Sequence, residues 1–224
     1  MADELPPQRI EVTPDGPYRV RGRVPLRPAR IVGDENRDPV DVEIGEPLEA
    51  GKTSLLCRCG QSSTKPFCDD THLTVDFDGK EVADRTPVAD RAFVLEGEGV
   101  VVSDVMPLCS KAGYCRNVRT SVWDMVPETG DPEVREDMQA MIGRCPSGRL
   151  SYAPDAAAPL VEAELEPEIL VQRNGPLWVR GGVPVVAADG EVYEVRNRQT
   201  LCRCGGSQNK PFCDGSHREN GFRG

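Results

Sequence analysis

A seventeen-residue stretch occurs twice in this chain. Leu56 to His72 reads LCRCGQSSTKPFCDDTH, and Leu201 to His217 reads LCRCGGSQNKPFCDGSH, identical at 12 of 17 positions. Each copy spaces three cysteines and one histidine as C-x-C-x8-C-x3-H: Cys57, Cys59, Cys68 and His72, then Cys202, Cys204, Cys213 and His217. Four soft donors in so short a loop form a metal-binding constellation, and its repetition points to two copies of one structural unit. Cys202 and Cys204 lie one residue apart, so in an extended segment their side chains point the same way. Cys213 and His217 are four apart, so on a helix capped by Asp214 they would share one face. Gly205 and Gly206 allow a sharp turn between the two halves, and Pro211 stiffens the return.

Three chemistries compete for these residues. Disulfides are disfavoured, because the cysteines number nine, an odd count, and the start MADELPPQRI lacks the basic and apolar runs of a secretory signal. A Cys3His zinc site has the right stoichiometry, but zinc sites ordinarily separate paired cysteines by two to four residues. An iron–sulfur cluster is the third reading: two sulfide-bridged irons need two protein ligands each, and four are present.

The run C-x-C-x2-S-x3-P-x-C-D-G-S-H resembles the signature of the CDGSH iron–sulfur family, the mitoNEET-type proteins. Residues 202–217 match it throughout; residues 57–72 depart at Asp70, where the family has Gly, and carry Thr71 opposite Ser216. The resemblance implies two [2Fe-2S] clusters. Cys57 and Cys59 would hold one iron of the first, with Cys68 and His72 on the other. Cys202 with Cys204, and Cys213 with His217, would do the same for the second. The Asp70 departure adds negative charge beside the first cluster and places a side chain where a glycine reaches the turn more easily.

The repeat extends beyond the motif. Gly16–Leu26 (GPYRVRGRVPL) has a twin in Gly175–Val185 (GPLWVRGGVPV), with seven of eleven positions shared, and alternation such as Tyr18/Val20 and Leu177/Val179 predicts half-buried strands. The first copy is fourteen residues longer between this preamble and its first cysteine. The extra length falls within Arg27 to Ala50, which is polar, proline-rich and expected as a surface loop. Residues 1–8 read as disordered, Leu73–Phe77 as a short strand, and the residues through Arg91 as a charged linker. The expected division is a first module over 9–85, a central domain over 86–155 and a second module over 160–224.

The centre carries the other three cysteines, Cys109, Cys115 and Cys145. Ala92–Met106 is apolar strand material. Asp131–Gly143 predicts a helix with Asp131 as cap, Pro132 in the first turn, Gly143 as terminator and Val134, Met138, Met141 and Ile142 on one face. Met106, Trp123 and Met125 read as core. The order LCSKAGYC, a Trp, a helix and then CPSG over residues 90–153 resembles the divergent single-cluster ferredoxin domain found fused to bacterial CDGSH modules, with Arg149 where that family has Ala. Three thiolates allow a [3Fe-4S] cluster, a [4Fe-4S] cluster with a non-cysteine fourth ligand, or a cluster-free scaffold.

Hydrophobic residues make up 38% of the chain and aromatic residues 5%, with 22 Gly and 20 Pro, which suits short strands and metal-stapled modules. The expected fold class is α+β, mostly small β with short helices. Two CDGSH modules pair as an intramolecular pseudo-dimer, which predicts a monomer with an internal pseudo-two-fold and a ferredoxin-like insert. No run of eighteen apolar residues occurs, so no membrane span is expected, and a cytoplasmic location follows. The formal charge of -10 argues against nucleic acid and fits a partner with a basic docking patch. The expected function is electron transfer or redox sensing, with a redox protein as partner. The alternatives are delivery of [2Fe-2S] units to an apo-acceptor and, further off, a zinc-stapled interaction module. No enzyme is expected, since both histidines of the chain serve as ligands. Reduction adds negative charge to the cluster and favours a proton on the histidine, so electron and proton uptake are expected to couple.

Overall fold

The computed structural model describes residues 6–224. The disorder expected for residues 1–8 lies mostly outside them; Pro6–Gln8 lead straight into the first strand. The elements in chain order are β1 (Arg9–Val12), β2 (Tyr18–Arg21), β3 (Leu26–Gly33), β4 (Pro39–Ile44), β5 (Thr53–Leu56), β6 (Phe93–Gly97) and β7 (Val100–Asp104). Then follow α1 (Val122–Met125), α2 (Pro132–Gly143), β8 (Leu150–Ala153), β9 (Glu168–Gln172), β10 (Leu177–Arg180), β11 (Val185–Val186) and β12 (Arg198–Leu201).

The two modules exchange strands. One sheet runs β11-β1-β2-β5 and the other β12-β10-β9-β3-β4. In each, three antiparallel strands of one module are joined by a parallel strand from the other: β11 beside β1 with Ile10 opposite Val185, and β3 beside β9 with Leu26 opposite Ile169. The correspondence β1/β9, β2/β10, β5/β12 and β3/β11 is an internal pseudo-two-fold. The reason is burial: a three-stranded sheet this short leaves its apolar face open, and facing the two sheets closes one shared core. Ile10, Tyr18, Leu26 and Leu56 of the first module pack there with Ile169, Leu177, Val179 and Leu201 of the second.

Two sequence expectations fail in the first module. Arg27–Ala50 is not a plain surface loop: it holds the β3–β4 hairpin, which widens the second module's sheet. Its inward residues Ala29, Ile31, Val42 and Ile44 meet Leu170, Trp178 and Tyr114. Leu73–Phe77 is not a strand; after a single 3-10 turn at Thr71–Leu73 the chain is irregular, and the partly buried Phe77 ring sits under the Arg58 guanidinium, 5.4 Å away.

The centre is a separate three-stranded sheet, β6-β7-β8, covered by α2. As expected, Asp131 caps α2, accepting from the Glu133 N–H, and Met138, Met141 and Ile142 are buried. Trp123 is only partly core: its indole donates to Asp104, and its face carries Arg149. Met125 is buried, whereas Met106 is exposed, because the 3-10 turn at Met106–Leu108 spends its inward position on Leu108. No helix among the described residues is long and apolar enough to cross a membrane.

Candidate metal centres

Each repeated motif folds into the same loop. The strand before it ends at Leu56 or Leu201, and the chain returns to bridge that residue from Phe67 or Phe212. The loop closes on Cys57 N–H to Pro66 O and on Cys202 N–H to Pro211 O, both 2.8 Å. The Cys-to-His half is not helical. Cys213 is followed by Gly215 in the left-handed region (φ 89°), and only Ser216–Arg218 form a 3-10 turn. Asp214 folds this segment by accepting from the N–H and hydroxyl of Ser216 and from the Gln208 N–H. Asp69 does the same in the first loop through Thr71 and Ser63, and these bonds hold its carboxyl well below the usual range.

The structure brings the expected ligands together in pairs. Cys57 and Cys59 Sγ are 3.7 Å apart and Cys202 and Cys204 Sγ 3.8 Å; Cys68 Sγ lies 3.4 Å from His72 Nδ1, and Cys213 Sγ 3.5 Å from His217 Nδ1. These are the edges of a tetrahedron about one metal ion, for which metal–sulfur bonds of about 2.3 Å give sulfurs about 3.8 Å apart. Among the described residues, the one group of three or more metal-type donors within 4.8 Å of one another is Cys68, Asp70 and His72. No three of the four motif ligands therefore gather around a single point. Each loop presents its four donors as two pairs.

Four of the thiols resist ionisation and one favours it. Burial raises Cys59, Cys68 and Cys213, the last to about 12. The hydrogen bond between Cys202 and Cys204 raises Cys202 and, with the Gly206 N–H, lowers Cys204 to about 6. Metal binding would displace the remaining protons. Burial, with Arg218 adding repulsion, lowers His217 to about 4.

Sequence reasoning passed over the arginine inside each C-x-C. Arg58 and Arg203 are almost fully buried. Arg58 donates to the carbonyls of Thr13 and Gly79; Arg203 donates to those of Gly175, Gln172 and Gly224. Each anchors its ligand loop to neighbouring backbone, and the desolvated Arg203 cation lies near Cys57 and Cys204, where it offsets thiolate charge. The signal was available, since CRC stands in both copies. Tyr18 was read only as a strand residue, yet its hydroxyl reaches across the pseudo-two-fold to the carbonyls of Cys202 and Pro211, 2.9 Å each.

Cys109, Cys115 and Cys145 of the centre line one cavity with Ser147 and Arg149. Arg149 forms a buried two-pronged ion pair with Asp104 (2.6 and 2.8 Å), which holds the guanidinium on the cavity wall.

Residues 15–73 and 174–218 match the family model described as the iron-binding zinc finger of CDGSH type. The chain carries two segments of the CDGSH iron-binding type. Its centre, residues 95–155, matches the model for a divergent 4Fe-4S mono-cluster. No curated protein and no solved structure matches the chain. Two CDGSH modules thus flank a ferredoxin-like domain, and the chain is an iron–sulfur protein.

Proposed function

We propose that this CDGSH chain is a one-electron carrier, with one [2Fe-2S] cluster held by Cys57, Cys59, Cys68 and His72 and a second by Cys202, Cys204, Cys213 and His217. The observation that carries this reading is the pairwise spacing of the ligands. A Cys3His zinc ion would draw all four donors to within tetrahedral reach of one another, whereas here they stand in twos. A bound cluster supplies a one-electron ferric/ferrous couple. The chain's own residues orient it, ionise to hold it and offset its charge through Arg203. The centre's three thiols fit a further cluster with a fourth ligand other than cysteine. The reading includes no catalytic turnover, a cytoplasmic location, a monomeric state and a redox protein with a basic docking face as partner.

The test is the visible spectrum of the protein as purified, with iron and acid-labile sulfide counted per chain. A red-brown protein with about four irons and four sulfides supports two [2Fe-2S] clusters, and an excess of about three or four irons supports a loaded centre. A colourless protein with two zinc ions would overturn the reading. A second reading, cluster delivery, draws on the half-exposed positions of Cys68 and His72. It predicts loss of colour to an apo-ferredoxin, whereas a pure electron carrier keeps it.

A further inference from the structure

The three cysteine-bearing sites touch in a fixed order. The two C-x-C loops meet back to back across the pseudo-two-fold. A Cβ placed on Gly60 would lie 2.8 Å from the Cys204 carbonyl, and one placed on Gly205 would lie 2.6 Å from the Cys59 carbonyl oxygen. Both glycines have positive φ, 80° and 76°, so the close approach and the turn depend on the same missing side chain. Ligand-bearing backbone of one cluster thus abuts ligand-bearing backbone of the other.

The second site makes another contact on its far half. Asn209 Nδ2 donates to the Pro107 carbonyl at 2.8 Å, Lys111 pairs with Glu219, and the Lys111 side chain lies directly over Gly215. Pro107 and Lys111 bracket Cys109, so the segment that carries it lies against the second loop. The centre therefore docks its first cysteine against the Cys213–His217 half. Among the described residues, no hydrogen bond or ion pair joins the first ligand loop, residues 57–72, to the centre.

We infer that the second CDGSH site is the junction of an internal electron path running from the first site, through the Gly60/Cys204 and Gly205/Cys59 contact, to the three-cysteine centre. The first site, whose Cys68 and His72 are partly open to solvent, is the port. An external one-electron donor protein is oxidised there as one ferric ion becomes ferrous. Each later transfer re-oxidises the giving site, reduces the receiving one and moves no atoms. The second site, with its Cys213 and His217 buried, does not face the donor. The inference rests on the clusters proposed above.

The test is electron paramagnetic resonance of the full chain at graded reduction. His72→Cys and His217→Cys variants assign the two [2Fe-2S] signals, and a Cys109→Ala/Cys115→Ala variant empties the centre. Iron and sulfide counts on the same samples separate the two failures: absent [2Fe-2S] clusters sink the functional reading and the path with it. With clusters present, the second-site signal is expected to be broadened by both neighbours. Emptying the centre should remove part of that broadening and leave the first-site signal unchanged. An unloaded centre, a second site that relaxes as an isolated cluster, or a first site that responds to the Cys109→Ala/Cys115→Ala change would each overturn the path.

Discussion

The two CDGSH sites have the same ligands, the same loop closures, the same aspartate fold and the same buried arginine, yet they sit in different surroundings. Cys68 and His72 are half-buried, while Cys213 and His217 are 2% and 6% exposed. The C-x-C halves run the other way: Cys59 is buried and Cys204 partly open. The sheets differ in the same sense. β2 and β5 alternate buried with open positions, while β9 and β12 are buried on both faces. The loop sequence sets ligand geometry, because its bonds are local. Burial is set by what the rest of the chain lays on top, and here the centre and the β3–β4 hairpin both lie on the second module.

The sharpest consequence is the order in which acid strips the clusters. Protonated imidazole cannot bind iron, so cluster loss requires a proton on the histidine. The shift at His217 is downward, from 6.5 to about 4, so this imidazole stays neutral as the pH falls through the ordinary histidine range. His72 has no such cover. On acidification from neutrality the second cluster should persist until the pH approaches about 4, and the half-buried first site is the comparison that tests burial as the cause. Stopped-flow absorbance of single-site proteins, one with Cys57→Ser/Cys59→Ser and one with Cys202→Ser/Cys204→Ser, measures the two decays. Equal rates at each pH would remove burial as the cause of the difference. Replacing the ligand, His72→Cys, should flatten the first site's pH dependence.

The comparison can also be broken from the side of the cover. Arg198 on β12 is buried and donates to the carbonyls of Ile142 (2.8 Å) and Cys145 (2.7 Å) while pairing with Glu162 (2.6 Å). It ties the second sheet to the end of α2 and the third central cysteine. Arg198→Leu leaves the Ile142 and Cys145 carbonyls without their donor while the exposed Glu162 returns to water, a loss of about 1–3 kcal/mol. Denaturant unfolding should show that loss, and the acid decay of the second cluster should move toward that of the first. Lowered stability with an unchanged second-site decay would mean that the cover is held elsewhere.

Much of this was legible in the sequence, for a physical reason. The ligands lie within seventeen residues, their spacing is set by local chain geometry, and repetition separates signal from accident. The strand preambles and α2 were equally readable, since period-two alternation and an Asp-Pro start are local. The strand exchange was not, because pairing Leu26 with Ile169 depends on contacts far apart in the chain. The β3–β4 hairpin left a trace, apolar residues at 29 and 31 and at 40, 42 and 44, masked by Pro28, Pro39 and alternating charges on an edge strand. The burial of the second site had no sequence signal, as it arises from a domain inserted elsewhere in the chain.

The smallest change addresses the turn position that carries an aspartate in one loop and a glycine in the other. Asp70 and Gly215 both occupy the left-handed region, at φ 64° and 89°. Asp70→Gly relieves a strain on the order of 1 kcal/mol and removes a carboxylate whose Oδ1 stands 3.9 Å from Cys68 Sγ. With less negative charge nearby, the reduced cluster, which carries one more, is favoured, so the first site's potential should rise. Potentiometric titration reads the shift, and an unchanged first-site potential would show that the carboxylate is screened by water. The reverse change is not its mirror image. A Cβ at Gly215 would lie 2.4 Å from Lys111 Cγ, so Gly215→Asp has to push the Lys111 side chain aside and with it the Lys111–Glu219 pair that ties the centre to the second site. It should therefore raise that site's acid lability as well as lower its potential. Asp70 is tolerated in the first loop because no loop of the centre lies over that turn, and the second loop keeps its glycine because one does.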